Sequence, residues 1–142
     1  MLIKQLVLHN FRVFNGTHTI DLAPRKRQHE VNSRPIVLFG GLNGAGKTSI
    51  LSAIRLALYG RLAFGSAMQQ QEYIEQLGML VHNGTCTKER PNEASVELTF
   101  TYNKDGREAE FTVTRSWRKG KKDRLSLQQD GQPRSELNYD QC

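Results

Sequence analysis

The 142-residue sequence predicts an α/β fold in which a glycine-rich phosphate-binding loop opens a helix beside an antiparallel β-subdomain. Three observations predict it. Gly41-Leu42-Asn43-Gly44-Ala45-Gly46-Lys47-Thr48 satisfies G-x-x-x-x-G-K-[ST] at every fixed position. The residues that follow repeat apolar side chains at helical spacing. The last third of the chain alternates apolar and polar residues with period two, interrupted by turn signals.

Leu2–His9 (LIKQLVLH) is predicted as a strand with both faces partly apolar. Thr17–Leu22 is a second strand, joined to it by Asn10–Gly16, which ends in the turn pair Asn15-Gly16. Ala23–Arg34 is polar and basic and is expected to be a loop. Ile36-Val37-Leu38-Phe39, bounded by Pro35 and Gly40, has the unbroken apolar pattern of a strand buried on both faces. Lys47–Tyr59 is predicted helical, with Ile50, Ala53, Ile54, Ala57 and Leu58 forming one apolar stripe and Gly60 as the stop signal. A weaker helix is expected within Gln69–Val81, and a loop over His82–Asn92. Ala94–Tyr102 and Glu108–Trp117 then alternate as two strands around Asn103-Lys104-Asp105-Gly106, a hairpin turn signal. A short strand, Arg124–Gln129, ends at Asp130-Gly131 and completes an antiparallel meander with one wet face.

The glycine-rich segment carries the chemistry. Its glycines let backbone N–H groups curl around a phosphate with no Cβ in the way. The helix after it presents the positive end of its dipole to the same anion. In this pattern Lys47 reaches the β- and γ-phosphates and the Thr48 hydroxyl ligates Mg²⁺. A guanine-specific site needs N-K-x-D, and Asn103-Lys104-Asp105-Gly106 places glycine where the aspartate must stand. Small P-loop kinases usually begin with the strand of the loop, whereas here two strands and a long loop precede it.

That combination is similar to SMC-like ATPases of the RecF, SbcC and repair type. Asn10-Phe11-Arg12 matches their N-F-R turn, and Asn43-Gly44-Ala45-Gly46-Lys47-Thr48 matches their N-G-[SA]-G-K-[ST]. Within the group, NFRVFNG, FGGLNGAGKT and AIRLALYG most resemble the DndD family, the ATPases of DNA phosphorothioation. The resemblance implies an α/β P-loop NTPase fold, the N-terminal lobe of an SMC/ABC-type ATPase head with an antiparallel β-subdomain, spanning residues 1–142. It implies ATP and Mg²⁺ as cofactors and Lys47 as the catalytic residue. Asn43, Gly44, Ala45, Gly46, Lys47, Thr48 and Ser49 would hold the phosphates and Thr48 the metal. Arg12 would contact phosphate, the alternative being a solvated loop arginine. Val81-His82-Asn83 falls where related heads place backbone that contacts adenine, and a plain turn is the alternative there. In such heads ATP is sandwiched between two protomers. The signature motif, the acidic Walker B pair and the coiled coil of the family are absent from this sequence. It therefore reads as a truncated lobe that binds nucleotide weakly, does not hydrolyse it at an enzyme-like rate and has poor solubility alone. The partners implied for the intact protein are DNA, sulfur-modification proteins and a second head in a head-to-head homodimer. A recombination or repair ATPase of the same superfamily is the nearest alternative, and a non-enzymatic remnant of a truncated gene another.

Composition bounds the remaining readings. The net charge of +6 is compatible with a nucleic-acid partner. Arg115, Arg118, Lys119, Lys121, Lys122 and Arg124 cluster around Gly120, either as a DNA-backbone contact or as a solvated hairpin tip. Trp117 is expected to pack rather than stack on a base. Cys86 and Cys142 form no metal-binding pair, and the four histidines show no ligand spacing. With no secretory start and no apolar run long enough for a bilayer, a cytoplasmic protein without membrane contact is expected.

Overall fold

The computed structural model describes residues 1–25, 36–84 and 90–134. Its frame is one six-stranded antiparallel sheet, β1 (Leu2–Phe11), β2 (Phe14–Asp21), β3 (Glu93–Lys104), β4 (Arg107–Arg118), β5 (Arg124–Gln129) and β6 (Gln132–Pro133), in the order β2-β1-β3-β4-β5-β6. Two α-helices, α1 (Lys47–Tyr59) and α2 (Gln70–Leu80), are linked through a 3-10 turn at Gly60–Phe64. The expected meander is thus continuous with the N-terminal hairpin, because β1 pairs with β3 along seven residue pairs from Leu2↔Thr101 to His9↔Ser95.

Alternation makes the sheet two-faced. Leu6, Leu8, Val96, Leu98 and Trp117 point to one side and are buried there against Ala53, Leu56 and Ala57 of α1 and Tyr73 and Leu77 of α2. The opposite side carries polar residues in register, among them His9, Ser95, Ser116 and Arg124 on adjacent strands. Trp117 packs as expected: its ring meets Phe11 edge-on at 6.2 Å, and its indole N–H donates to the Leu77 carbonyl at 2.8 Å. The α1 stripe is rotated slightly from the expected one. Ser49, Ala53, Leu56 and Ala57 are buried, while Ile50, Ile54 and Leu58 are only partly covered.

Two expectations are corrected. The first hairpin closes earlier than Asn15-Gly16, on the two-residue turn Arg12-Val13, with Phe11 opposite Phe14. Asn10 causes this: it adopts φ 47° at a bulge and its Oδ1 accepts from Gly16 N at 2.9 Å, so the turn signal at Gly16 serves the bulge instead. Ile36–Phe39 is not a buried strand. The run has no ladder partner among the described residues, and Ile36 and Leu38 are 84% and 91% exposed. An apolar run becomes a buried strand only where another strand accepts its backbone hydrogen bonds, and among the described residues neither edge of the sheet, β2 or β6, pairs with this run.

Candidate nucleotide-binding site

Three pieces of chain meet at the N-terminal end of α1. The first is the glycine-rich loop. Gly44 and Gly46 lie at φ 85° and 103°, conformations that open the backbone as a phosphate cradle requires. Gly46 is also fixed by its surroundings: a Cβ there would lie 2.8 Å from the Phe14 ring and 3.0 Å from Val13. The loop is held by Ala45 N donating to the Leu42 carbonyl at 3.1 Å, and Ile50 N donates to Gly46 O at 3.0 Å to begin the helix. The helix starts at Lys47, the position the motif requires. The N–H groups of its first turn, at Lys47, Thr48 and Ser49, have no intrahelical acceptor and are available to an anion.

Lys47 and Thr48 are exposed, whereas Ser49 is only 5% exposed, on the core side of the helix. What Ser49 can present to a phosphate is therefore chiefly its backbone N–H. The Lys47 ammonium donates to the carbonyls of Gly41 and, at 2.9 Å, of Leu42. These contacts fold the lysine back across its own loop and keep the charge at the loop's centre. A nucleotide phosphate would offer the same donor anionic oxygens, for which charge-assisted bonds are roughly twice as strong as neutral ones.

The second piece is the β1–β2 turn. Arg12, at φ 50°, places its guanidinium 3.3 Å from Ser52 Oγ on the first turns of α1. Its backbone is anchored on both sides, Arg12 N donating to Leu80 O at 2.8 Å and Arg12 O accepting from His82 Nδ1 at 2.6 Å. The third piece is the exit of α2. Val81 forms a bridge with Phe11, and His82 N donates to Asn10 O at 2.7 Å. The structure thus brings Arg12 and the Val81–His82 segment to the same corner as the loop. Phe11, fully buried, is the plug from which that corner is built.

The residues fit a phosphate: Gly44 and Gly46 at positive φ, a helix N-terminus and the Lys47 ammonium meet at the loop, with Arg12 reaching Ser52 on the same helix. For a divalent metal the site offers the Thr48 hydroxyl, and among the described residues no group of three His, Cys, Asp or Glu is close enough to form a cation cage. Mg²⁺ commonly takes few protein ligands and completes its shell with phosphate oxygens and water.

The basic cluster divides into two parts. Arg115 leaves it. The residue lies on the core face of β4, donates from Nη1 to Asp123 Oδ2 at 2.6 Å and from Nε to the Ala57 carbonyl at 3.2 Å, in the last turn of α1. There a cation complements the negative end of the helix dipole. Tyr73 of α2 donates to the same Asp123 oxygen at 3.1 Å. Burial, reinforced by the Asp123 charge, pushes the Tyr73 hydroxyl well above the usual phenol range. This trio joins both helices to the β4–β5 turn, and composition alone gave no sign of it. A signal existed: Arg115 occupies the apolar parity between Val113 and Trp117. Arg118, Lys119, Lys121, Lys122 and Arg124 remain exposed. Lys26, Arg27, His29 and both cysteines lie outside the described residues.

No helix among the described residues is long and apolar enough to cross a membrane. A family model described as AAA domain matches residues 5–141. The chain is similar to Arcadin-4 of Pyrobaculum calidifontis, 35% identical over 83 residues that cover 58% of this chain and 8% of that protein. It is 42% identical over 57 residues to the SbcC component of the nuclease SbcCD of Treponema pallidum, covering 40% and 5%. It is 41% identical over 80 residues to the DNA replication and repair protein RecF of Stenotrophomonas maltophilia, covering 53% and 19%. The chain thus spans less than a fifth of the length of these curated relatives. Its fold resembles the SMC head domain from Thermotoga maritima, with a TM-score of 0.54 at 21% identity over 94% of this chain and 39% of that one. The α/β fold of SMC-head type is what the sequence led us to expect, and the chain belongs to the AAA domain family.

Proposed function

We propose that this chain is the ATP-binding lobe of an SMC-like ATPase that acts on DNA. The observation that carries the reading is the loop itself: a full G-x-x-x-x-G-K-T pattern in which Gly44 and Gly46 stand at positive φ and whose helix opens at Lys47. In it Asn43 to Ser49 cradle the phosphates through backbone N–H groups, with Lys47 neutralising the β- and γ-phosphates and Arg12 adding a second cation from the β1–β2 turn. Thr48 would hold Mg²⁺ through its hydroxyl, and the ion would supply neutralisation of phosphate charge there. The acidic groups that polarise water, and the signature motif that closes on the nucleotide in trans, come from outside residues 1–142. Binding is therefore this lobe's own property, and hydrolysis is a property of two engaged heads. Binding would bring the heads together and hydrolysis release them, altering the grip on DNA.

Within that class we assign the protein to DNA sulfur modification, alongside sulfur-transfer partners. The wording of NFRVFNG, FGGLNGAGKT and AIRLALYG supports this. A second reading, a recombination or repair ATPase, is favoured by the similarity to RecF and to SbcC. Neighbouring genes separate the two: sulfur-transfer genes beside this one support the first, and repair genes the second.

The central claim is tested by titrating a fluorescent ATP analogue with Mg²⁺ into the 142-residue chain and its Lys47→Ala variant. The parent chain should saturate, and the variant should lose at least tenfold in affinity. Equal affinity, or no binding by the parent, would remove the site.

A further inference from the structure

We propose that the open end of the polar sheet face, between β3 and the β4–β5 turn, is a binding groove for the phosphodiester backbone of duplex DNA. The proposal rests on reading the chain as a lobe of a DNA-acting ATPase and assigns to these residues the surface that meets the DNA.

The groove follows from the register. His9, Ser95, Ser116 and Arg124 are direct cross-strand partners on β1, β3, β4 and β5, and Thr17 extends the row onto β2. Five strands at the usual spacing make the row about 19 Å long, comparable to about five phosphates along one strand at ~3.4 Å of axis each. Toward β5 it opens into a cavity of about 720 Å³ whose polar lining includes Ser95, Ser116, Arg118, Lys121, Lys122 and Arg124. Four cations there face a single carboxylate, Glu93, which lies 3.3 Å from Arg118. Among the described residues, Lys121, Lys122 and Arg124 form no ion pair.

A solvated hairpin tip would hold such lysines loosely, and here the turn is built. Asp123 lies one residue from Lys122 and from Arg124, and its side chain is 5% exposed, pinned by Arg115 and Tyr73. Lys119 N donates to Asn92 O at 2.9 Å and Lys121 N to Arg118 O at 3.0 Å, so the backbone on either side of Gly120 is fixed too. Arg115 takes the core side, while Arg118, Lys121, Lys122 and Arg124 line the groove. Hydroxyls from Ser95 and Ser116 lie beside them, and hydroxyl and cationic donors are the groups that meet phosphate oxygens.

The same surface argues for duplex rather than single-stranded nucleic acid. Binding of exposed bases needs aromatic platforms. Of the aromatic rings that line the groove, Trp117 is 3% exposed with its indole N–H spent on Leu77, and the His9 ring is held between Thr17 and Asn10. What the groove offers is charge and hydroxyls, which read a backbone.

The test is fluorescence anisotropy of the 142-residue chain with a labelled 30-bp duplex and with the single strand of the same length, over a range of KCl. Neutralising three groove cations, in Lys121→Gln/Lys122→Gln/Arg124→Gln, should weaken duplex binding at least tenfold at 100 mM salt. It should also flatten the slope of log K against log salt by about 2.7, at about 0.9 per lost phosphate contact. A control of equal charge away from the groove, Arg25→Gln/Arg107→Gln/Arg134→Gln, should lose less than threefold, and the single strand should bind more weakly than the duplex. The groove triple should bind the ATP analogue like the parent, so that loss of DNA binding is not confused with loss of the nucleotide site. Equal losses in the two triples would reduce the effect to net charge and overturn the proposal. Tighter binding of single strand, or no binding of duplex by the parent chain, would overturn it as well.

Discussion

Asp123 shows how much one side chain decides here. Its carboxylate takes two donors, from Arg115 at 2.6 Å and Tyr73 at 3.1 Å, while 5% exposed. Removing one partner of a buried ion pair leaves an uncompensated charge, a loss of about 3–5 kcal/mol. Asp123→Ala should therefore destabilise the chain strongly in urea melts. The double variant Arg115→Met/Asp123→Leu should recover much of that loss, since apolar replacement of a whole buried pair is often neutral. A single variant within about 1 kcal/mol of the parent would mean that the pair is solvated. The trio also predicts alkaline behaviour. The folded-state value of Tyr73 is raised above the phenol value of about 10 that applies when unfolded. Its contribution is thus present in full below about pH 10 and is lost as the pH rises beyond it. The extra slope should be about 1.4 kcal/mol per pH unit for the one proton retained. Tyr73→Phe should flatten that fall in an alkaline denaturation series, and an unchanged slope would assign the loss to other groups.

At the scale of elements, legibility followed the reach of the forces involved. Helix α1 was readable to the residue, Lys47 to Tyr59, because its start is set by the loop's glycines and its end by Gly60, which lies at φ 53°. The β3–β4 hairpin was equally plain: its two-residue turn, Asp105-Gly106, has φ 54° and 77°, the pair of positive values that an Asp-Gly turn supplies. The N-terminal hairpin was misplaced by a few residues, since a bulge is invisible to period-two counting. Asn10 at φ 47° shifts the register, and Arg12 at φ 50° then makes a tight turn out of residues that carry no turn signal. That same pair explains the N-F-R motif physically. Asn10 bulges, Phe11 plugs the core, and Arg12 is swung over the first turns of α1. For Ile36–Phe39 the pattern reported a preference for burial but not the partner that burial needs, and the Arg115–Asp123–Tyr73 trio depends on contacts 8 to 50 residues apart.

For the whole molecule the consequence is an asymmetric surface. One flank of the sheet is closed by helices and the other is polar, but the rim beside the phosphate loop is apolar, with Ile36, Leu38 and Leu42 at 84%, 91% and 85% exposure. Leu51 of α1 and Leu62 of the 3-10 turn are 60% and 62% exposed. Contiguous exposed apolar side chains favour association, because each one removed from water contributes on the order of 1.5–3 kcal/mol when fully buried. An apolar segment with no ladder partner among the described residues adds a template for strand pairing between copies. The chain should therefore associate in a concentration-dependent way despite its net charge of +6, since charge repulsion between exposed groups is screened within about 8 Å at physiological salt. Ile36→Lys/Leu38→Lys places two cations on that segment without touching the loop glycines, Lys47 or the core face of the sheet. Light scattering after size exclusion should show the parent as assemblies growing with concentration and the double variant moving toward the 16.2 kDa monomer. Affinity for the ATP analogue should stay within threefold. A parent chain that remains monomeric at about 100 µM would show that the rim is not an association surface, and loss of nucleotide binding in the double variant would make Ile36–Phe39 a structural support of the phosphate loop.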